Sequence, residues 1–226
     1  MTGRKIAIVS DFDGTIAARD VGHHFMGSFV PDTAAWEELL DKWKMGLISS
    51  RECLEQELDW IDVTREQLEE FIEKEKFDPY FKDFVDFCNR GLYEFLILSD
   101  GLDYYIEYLL LKFGVGYLGF RANHLVIDDN SRLAGIEFPW YDRMSCTMCG
   151  NCKAWHVEGL RKKGFFTIYI GNGYSDRCPA EHADLVFAKD DLLEHCRRKN
   201  LPCEQFHNFR DVERELTKRF FLSGTE

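Results

Sequence analysis

Residues 6–15 read Ile6-Ala7-Ile8-Val9-Ser10-Asp11-Phe12-Asp13-Gly14-Thr15, a short apolar run that ends abruptly in two carboxylates and a glycine. A run of this length and composition suits a strand buried on both faces, and the Asp-Gly pair suits the turn that stops it. Asp11 and Asp13 then lie at the carboxyl end of a strand, where open α/β sheets bind their ligands. Whether the fold is of that kind depends on the segments that follow.

Residues 34–46, 49–60 and 64–76 carry apolar side chains at helical spacing among many charges, and Thr64 with Gln67 three residues on has the form of a capping box. The stretch 16–77 is therefore expected to be a helical cap inserted after the first strand. The pattern then changes. A helix is predicted over 79–89, with Asp78 as its N-cap and Gly91 behind it, followed by a strand over 93–98 that ends at Ser99-Asp100-Gly101. A helix over 102–113 closes at Gly114, and 123–138 has the pattern of a hairpin. A helix over 153–163 and strands over 165–170 and 185–188 complete the reading. Strands alternating with helices predict an α/β fold, a parallel sheet with helices on both faces, whose core is 1–15 together with 78–226.

Composition narrows the functions available. A chain of 226 residues, 45% apolar and 15% aromatic, can bury a sizeable core. Its net charge of -12 argues against non-specific nucleic-acid binding, which needs a cationic surface. No apolar run approaches the roughly 20 residues of a membrane helix. The first nine residues lack the features of an export signal, so the expected location is cytoplasmic, as a monomer or homodimer. The eight cysteines, at 53, 88, 146, 149, 152, 178, 196 and 203, then read mostly as reduced thiols. An acidic protein that handles phosphate must create its positive field locally, with a metal, a lysine and backbone N–H groups.

Four segments supply such parts in order. A carboxylate at Asp11 can attack phosphorus while Asp13 protonates the leaving oxygen, provided a cation offsets their repulsion. Mg²⁺ suits that task because it prefers oxygen ligands. Ser99 offers a hydroxyl, with Asp100 and Gly101 beside it, and Lys153 offers a point charge. Asn172 and Asp176 offer oxygen ligands for the metal. Each residue alone has a plainer reading: Asp and Gly are common in turns, and Ser99 and Lys153 suit a strand end and a solvated helix start. Their weight comes from the set.

Asp11-Phe12-Asp13-Gly14-Thr15, Ser99, Lys153 and Gly171-Asn172-Gly173-Tyr174-Ser175-Asp176 resemble the four ordered motifs of haloacid-dehalogenase-superfamily (HAD) phosphatases, and the resemblance spans nearly the whole chain. Cys149-Gly150-Asn151-Cys152-Lys153 and Ser175-Asp176-Arg177-Cys178-Pro179 resemble its branch containing 2-hydroxy-3-keto-5-methylthiopentenyl-1-phosphate phosphatase of methionine salvage. Phosphoserine and phosphocholine phosphatases are more distantly similar. The resemblance implies a Rossmann-like core under a helical cap, Asp11 as nucleophile and Asp13 as general acid and base. It also implies phosphate contacts from Ser99, Asp100, Gly101 and Lys153, and a small phosphorylated substrate. Magnesium would be held through Asp11, the carbonyl oxygen of Asp13, and Asn172 and Asp176. Asn172 departs from the pattern, since the family usually has a carboxylate there, and the loss of one charge predicts weaker metal binding.

Other residues invite functional readings beside plainer ones. Asp20 and His23, early in the cap, are candidates for substrate contact, with a helix N-cap and a packing residue as the alternatives. Cys146, Cys149 and Cys152 are spaced for a shared zinc ion or for redox chemistry, with Cys178 and His156 as possible fourth ligands. A phosphatase for another small metabolite, such as phosphoserine, phosphocholine or a vitamin phosphate, is the first rival reading. A non-catalytic metal- or redox-binding protein on the same fold is the second.

Overall fold

The computed structural model describes residues 5–222, so residues 1–4 and 223–226 of the expected core segments lie outside it. The chain forms two compact units that interleave along the sequence. Met1–Ala18, Phe77–Leu98 and Lys153–Glu226 make the first, and Arg19–Lys76 with Ser99–Cys152 the second.

The first unit is built on a parallel sheet. Strand β1 (Ile6–Ser10) is buried along its whole length, as its unbroken apolar run requires. It pairs in parallel with β2 (Glu94–Leu102) on one side and β5 (Phe166–Gly171) on the other. β5 in turn pairs with β6 (Leu185–Ala188), and β6 with the two-residue β7 (Glu204–Gln205). Helix α7 (Lys153–Lys162) places Val157 against Val9, Leu98 and Tyr169, all fully buried. Helix α9 (Asp190–Lys199) packs Leu192, Leu193 and Cys196 beside Val186 and Ala188. Helices α5 (Phe81–Arg90) and α10 (Phe209–Thr217) join through Phe209, whose ring centroid lies 5.0 Å from those of both Phe81 and Phe84. The short helix α8 (Arg177–His182) completes this unit's α-helices among the described residues.

The second unit is mainly helical: α1 (Val21–Phe29), α2 (Thr33–Lys44), α3 (Ser50–Asp59), α4 (Arg65–Ile72) and α6 (Asp103–Lys112), with the antiparallel hairpin β3 (Phe120–Ile127) and β4 (Leu133–Glu137). The last residues of β2 also belong here; within the first unit the strand order is β2-β1-β5-β6-β7. Capping boxes start α3, at Ser49 with Glu52, and α4, at Thr64 with Gln67. The hairpin was expected with the core segments, but it groups with the helices of 19–76, and the bonds explain why. Arg65 N donates to Ser131 O at 2.7 Å and Leu133 N to Val63 O at 3.0 Å, tying the start of α4 to the hairpin. Tyr104 and Tyr108 of α6 donate to Glu69 and Glu73 at 2.5 and 2.9 Å.

The α/β fold is as predicted, with local differences. Asp78 does not cap α5: it lies two residues ahead of the N-cap position, Tyr80, whose N–H its carboxylate accepts from at 2.9 Å, and the helix starts at Phe81 without a side-chain cap. Strand β2 continues through Ser99, Asp100 and Gly101, where it was expected to end. Helices α8, α9 and α10 answer to no segment of the sequence reading, and α1 answers only to the N-cap reading of Asp20 inside the expected cap. No helix among the described residues is long and apolar enough to cross a membrane.

Candidate active site

Asp11 follows β1 directly, and its N–H donates to Ile170 O at 2.9 Å, so the chain is still aligned with β5 when the carboxylate appears. Gly14 turns the chain at φ +71°, and a β-carbon there would stand 2.5 Å from Asn172 Nδ2. Only glycine combines that backbone with that approach. Thr15, behind the turn, donates from its hydroxyl to Asn172 Oδ1 at 2.8 Å.

Lys153, the first residue of α7, is buried, and its ammonium spends all three donors inside the unit. They reach Asp11 Oδ1 at 2.5 Å, Asp176 Oδ1 at 2.7 Å and Ser175 Oγ at 2.9 Å. Asp176 is completely buried and accepts from four groups: Lys153, the Tyr169 hydroxyl at 2.6 Å, and the N–H groups of Asn172 and Gly173, each at 2.9 Å. A carboxylate with both oxygens so occupied has little capacity for a further direct ligand. Asp176 here holds the Gly171–Asp176 loop and Lys153 in register.

Burial raises the Asp11 carboxyl well above its ordinary range; Asp176 and Asp13 add to that, and Lys153 opposes it. For Lys153 burial works against the charge, but Asp11 and Asp176 outweigh it and hold the ammonium firmly protonated. Tyr169 is likewise raised, by burial and by Asp176, so it remains a hydrogen-bond donor.

Of the residues predicted from sequence, Asp11, Lys153, Asn172 and Asp176 are thus drawn together in the first unit, and Asp13 acts electrostatically on Asp11. Tyr169 and Ser175 were missed as partners. Tyr169 sits in a strand that is buried on both faces, and a tyrosine there carries no pattern that separates it from core packing.

Ser99, Asp100 and Gly101 belong to the second unit, where Ser99 is buried and its Oγ accepts from Gly101 N at 2.9 Å. Asn151 fastens this strand end. Its side-chain amide donates to Ser99 O at 2.9 Å and to Arg121 O at 3.0 Å, and its N–H donates to Asp100 Oδ1 at 2.7 Å. Asn123 adds a bond to Asp100 O at 2.7 Å. Asp20 is the N-cap of α1, accepting from His23 N at 2.8 Å. The His23 ring lies on Trp36 with centroids 4.7 Å apart, and burial lowers its pKa. Cys146, Cys149 and Cys152 come together, with their sulfurs within 4.8 Å of one another.

A family described as Putative Phosphatase matches residues 6–215. The bifunctional enzyme MtnB/MtnX of Bacillus licheniformis is 31% identical over 216 residues, 94% of this chain, and the chain spans 49% of that relative's length. The 2-hydroxy-3-keto-5-methylthiopentenyl-1-phosphate phosphatase of Bacillus pumilus is 30% identical over 94% of this chain and 91% of its own length. Among solved structures, a phosphoserine phosphatase captured as an analogue of its phospho-aspartyl intermediate superimposes with a TM-score of 0.70. That match covers 94% of this chain and 99% of the other at 19% identity, a likeness of fold. With a family match that runs almost from end to end and a relative of this identity aligned over nearly its whole length, the chain belongs to the Putative Phosphatase family.

Proposed function

We propose that this chain hydrolyses a small phosphomonoester through a phosphorylated Asp11, and that 2-hydroxy-3-keto-5-methylthiopentenyl-1-phosphate, for which the Bacillus pumilus relative is named, is the substrate to test first. The observation that carries the reading is the buried Asp11 carboxylate at the end of β1, held 2.5 Å from the Lys153 ammonium. One oxygen of Asp11 is fixed by the lysine, which leaves the other for attack on phosphorus. In the first step Asp11 forms the new P–O bond, the ester P–O bond breaks, and the leaving oxygen takes a proton from Asp13. In the second, Asp13 removes a proton from water, the water oxygen bonds to phosphorus, and the bond to Asp11 breaks, restoring the carboxylate. Lys153 stays charged throughout and offsets the charge of the phosphoryl oxygens. Ser99, Asp100 and Gly101 are assigned as phosphate contacts on the order of the motifs.

The donor set fits magnesium. Asp11, Asp13 and Asp176 bring three carboxylates, and Lys153 and, at longer range, Lys189 bring positive charge to Asp11. Asp11 and the amide oxygen of Asn172 would hold the ion, with the Asp13 carbonyl, while Asp176 holds their loop from behind. When bound, Mg²⁺ supplies positive charge beside the transferring phosphoryl group. Phosphate release should be measured across a panel that includes phosphoserine, phosphocholine and vitamin phosphates, with Mg²⁺ and with chelator. Asp11→Asn should lose at least about a thousandfold in kcat, the scale of losing a covalent nucleophile. Full activity of that variant would end the proposal, and turnover of another phosphate alone would replace the substrate.

A further inference from the structure

The loop that leads into α7 contains three thiols that the phosphatase reading does not use. Cys146 and Cys149 are half-buried and Cys152 is buried; their sulfurs lie within 4.8 Å of one another, with Cys146 and Cys149 at 3.6 Å. The backbone that carries them is anchored at several points. Ser50 N donates to Met148 O at 2.9 Å, Gly150 N donates to Ser50 Oγ at 2.8 Å, and the bonds of Asn151 to Ser99, Asp100 and Arg121 follow at once. A β-carbon on Gly150 would stand 2.8 Å from the Phe138 ring, so the loop also passes too close to the hairpin's end for any larger residue. The thiols are therefore gathered by a loop that is fixed independently of them.

We propose that Cys146, Cys149 and Cys152 form a binding site for a thiophilic cation, of which Zn²⁺ is the divalent representative, with its fourth position open to solvent. Tetrahedral zinc with bonds of about 2.3 Å to sulfur sets its ligands about 3.8 Å apart. Cys146 and Cys149 already stand at that spacing, and the widest pair must close by no more than about 1 Å, within reach of side-chain rotation. A disulfide would need about 2 Å and would use only two of the three. Binding converts three S–H groups to thiolates, and the three protons go to solvent as the three S–metal bonds form; no electrons are transferred. The hydrogen bond to Cys152, burial and the nearby Asp100 raise the Cys149 thiol far above its usual range. The two half-buried sulfurs leave a path for the ion to enter.

The test uses full-length protein purified under reductant and stripped of metal. Zn²⁺ titration followed by elemental analysis should give one tightly held ion per chain, and Co²⁺ should give the near-ultraviolet sulfur-to-metal charge-transfer band. Loaded protein should protect three thiols from alkylation until chelator is added. Cys146→Ser, at a half-buried position, should weaken binding by at least about a hundredfold, more than loss of an outer-shell partner costs. Asp11→Asn should leave the cobalt band intact, which separates this site from the phosphatase centre. Failure of reduced protein to hold Zn²⁺, cobalt binding without the sulfur band, or a Cys146–Cys149 disulfide with no metal would each overturn the proposal.

Discussion

Asp176 shows how little of a side chain's task is visible in its identity. Four donors converge on it, two from backbone, one from a tyrosine and one from the lysine that also holds Asp11. A β-carbon on Gly171 would stand 2.6 Å from Asp176 Oδ2, and a carboxylate so tied has nowhere to move. Gly171→Ala is expected to cost about 1–3 kcal/mol in denaturant unfolding, as overpacking does, and to lower phosphate release with it. Unchanged stability would mean the carboxylate yields. In the second unit Glu57 is buried and accepts from Trp36 Nε1 at 2.6 Å; burial raises its carboxyl from about 4.5 to about 7, against the pull of that bond. A carboxyl whose folded pKa lies above its unfolded one adds stability at acid pH, in full below about 4.5, and loses it as pH rises through about 7. Glu57→Gln, which cannot ionise, should remove that slope and exceed the parent in stability at pH 8 by on the order of 3 kcal/mol. Parallel pH profiles of the two proteins would contradict this.

Elements declared themselves where the signal was local. Thr64 and Gln67 form the capping box read from their spacing, with Gln67 N to Thr64 Oγ1 at 3.3 Å and Thr64 N to Gln67 Oε1 at 2.9 Å. Thr64→Ala should destabilise α4 by about 1 kcal/mol, and Thr64→Ser by much less; equal losses in thermal unfolding would show that the methyl, not the hydroxyl, matters. Helix α1 gave no signal beyond its Asp20 cap, because Val-Gly-His-His-Phe-Met-Gly-Ser-Phe holds two glycines and two histidines, all weak helix formers. It is held by the Asp20 cap and by burial of Val21, Phe25 and Met26. Helix α10 is similar: its cap at Asn208 is local, but the Phe209 anchor meets Phe81 and Phe84, far away in sequence.

On the scale of the molecule, the chain passes between its two units four times, and two of the crossings fall at Leu98–Ser99 and Cys152–Lys153, on motif residues themselves. If Asp11 and Asn172 hold Mg²⁺, the ion binds only the folded chain and must stabilise it by mass action. At a hundred times its dissociation constant the gain is about 2.7 kcal/mol, or on the order of 5–10 °C in Tm for a chain of this size. Asp11→Asn should abolish the shift; a shift that survives would move the ion elsewhere.

Read alone, the sequence determined the strand that presents Asp11, the α/β alternation, most helix starts, and the order of the motifs, because each depends on residues within a few positions of one another. Tertiary structure decided the rest. That Asp176 spends both oxygens on protein donors, that Asn151 fastens Ser99 to Arg121, and that the hairpin keeps company with α4 all depend on distances between segments far apart in sequence. Hydrogen-bond capacity is exhausted or left over only once every partner is in place, and no local pattern records that sum.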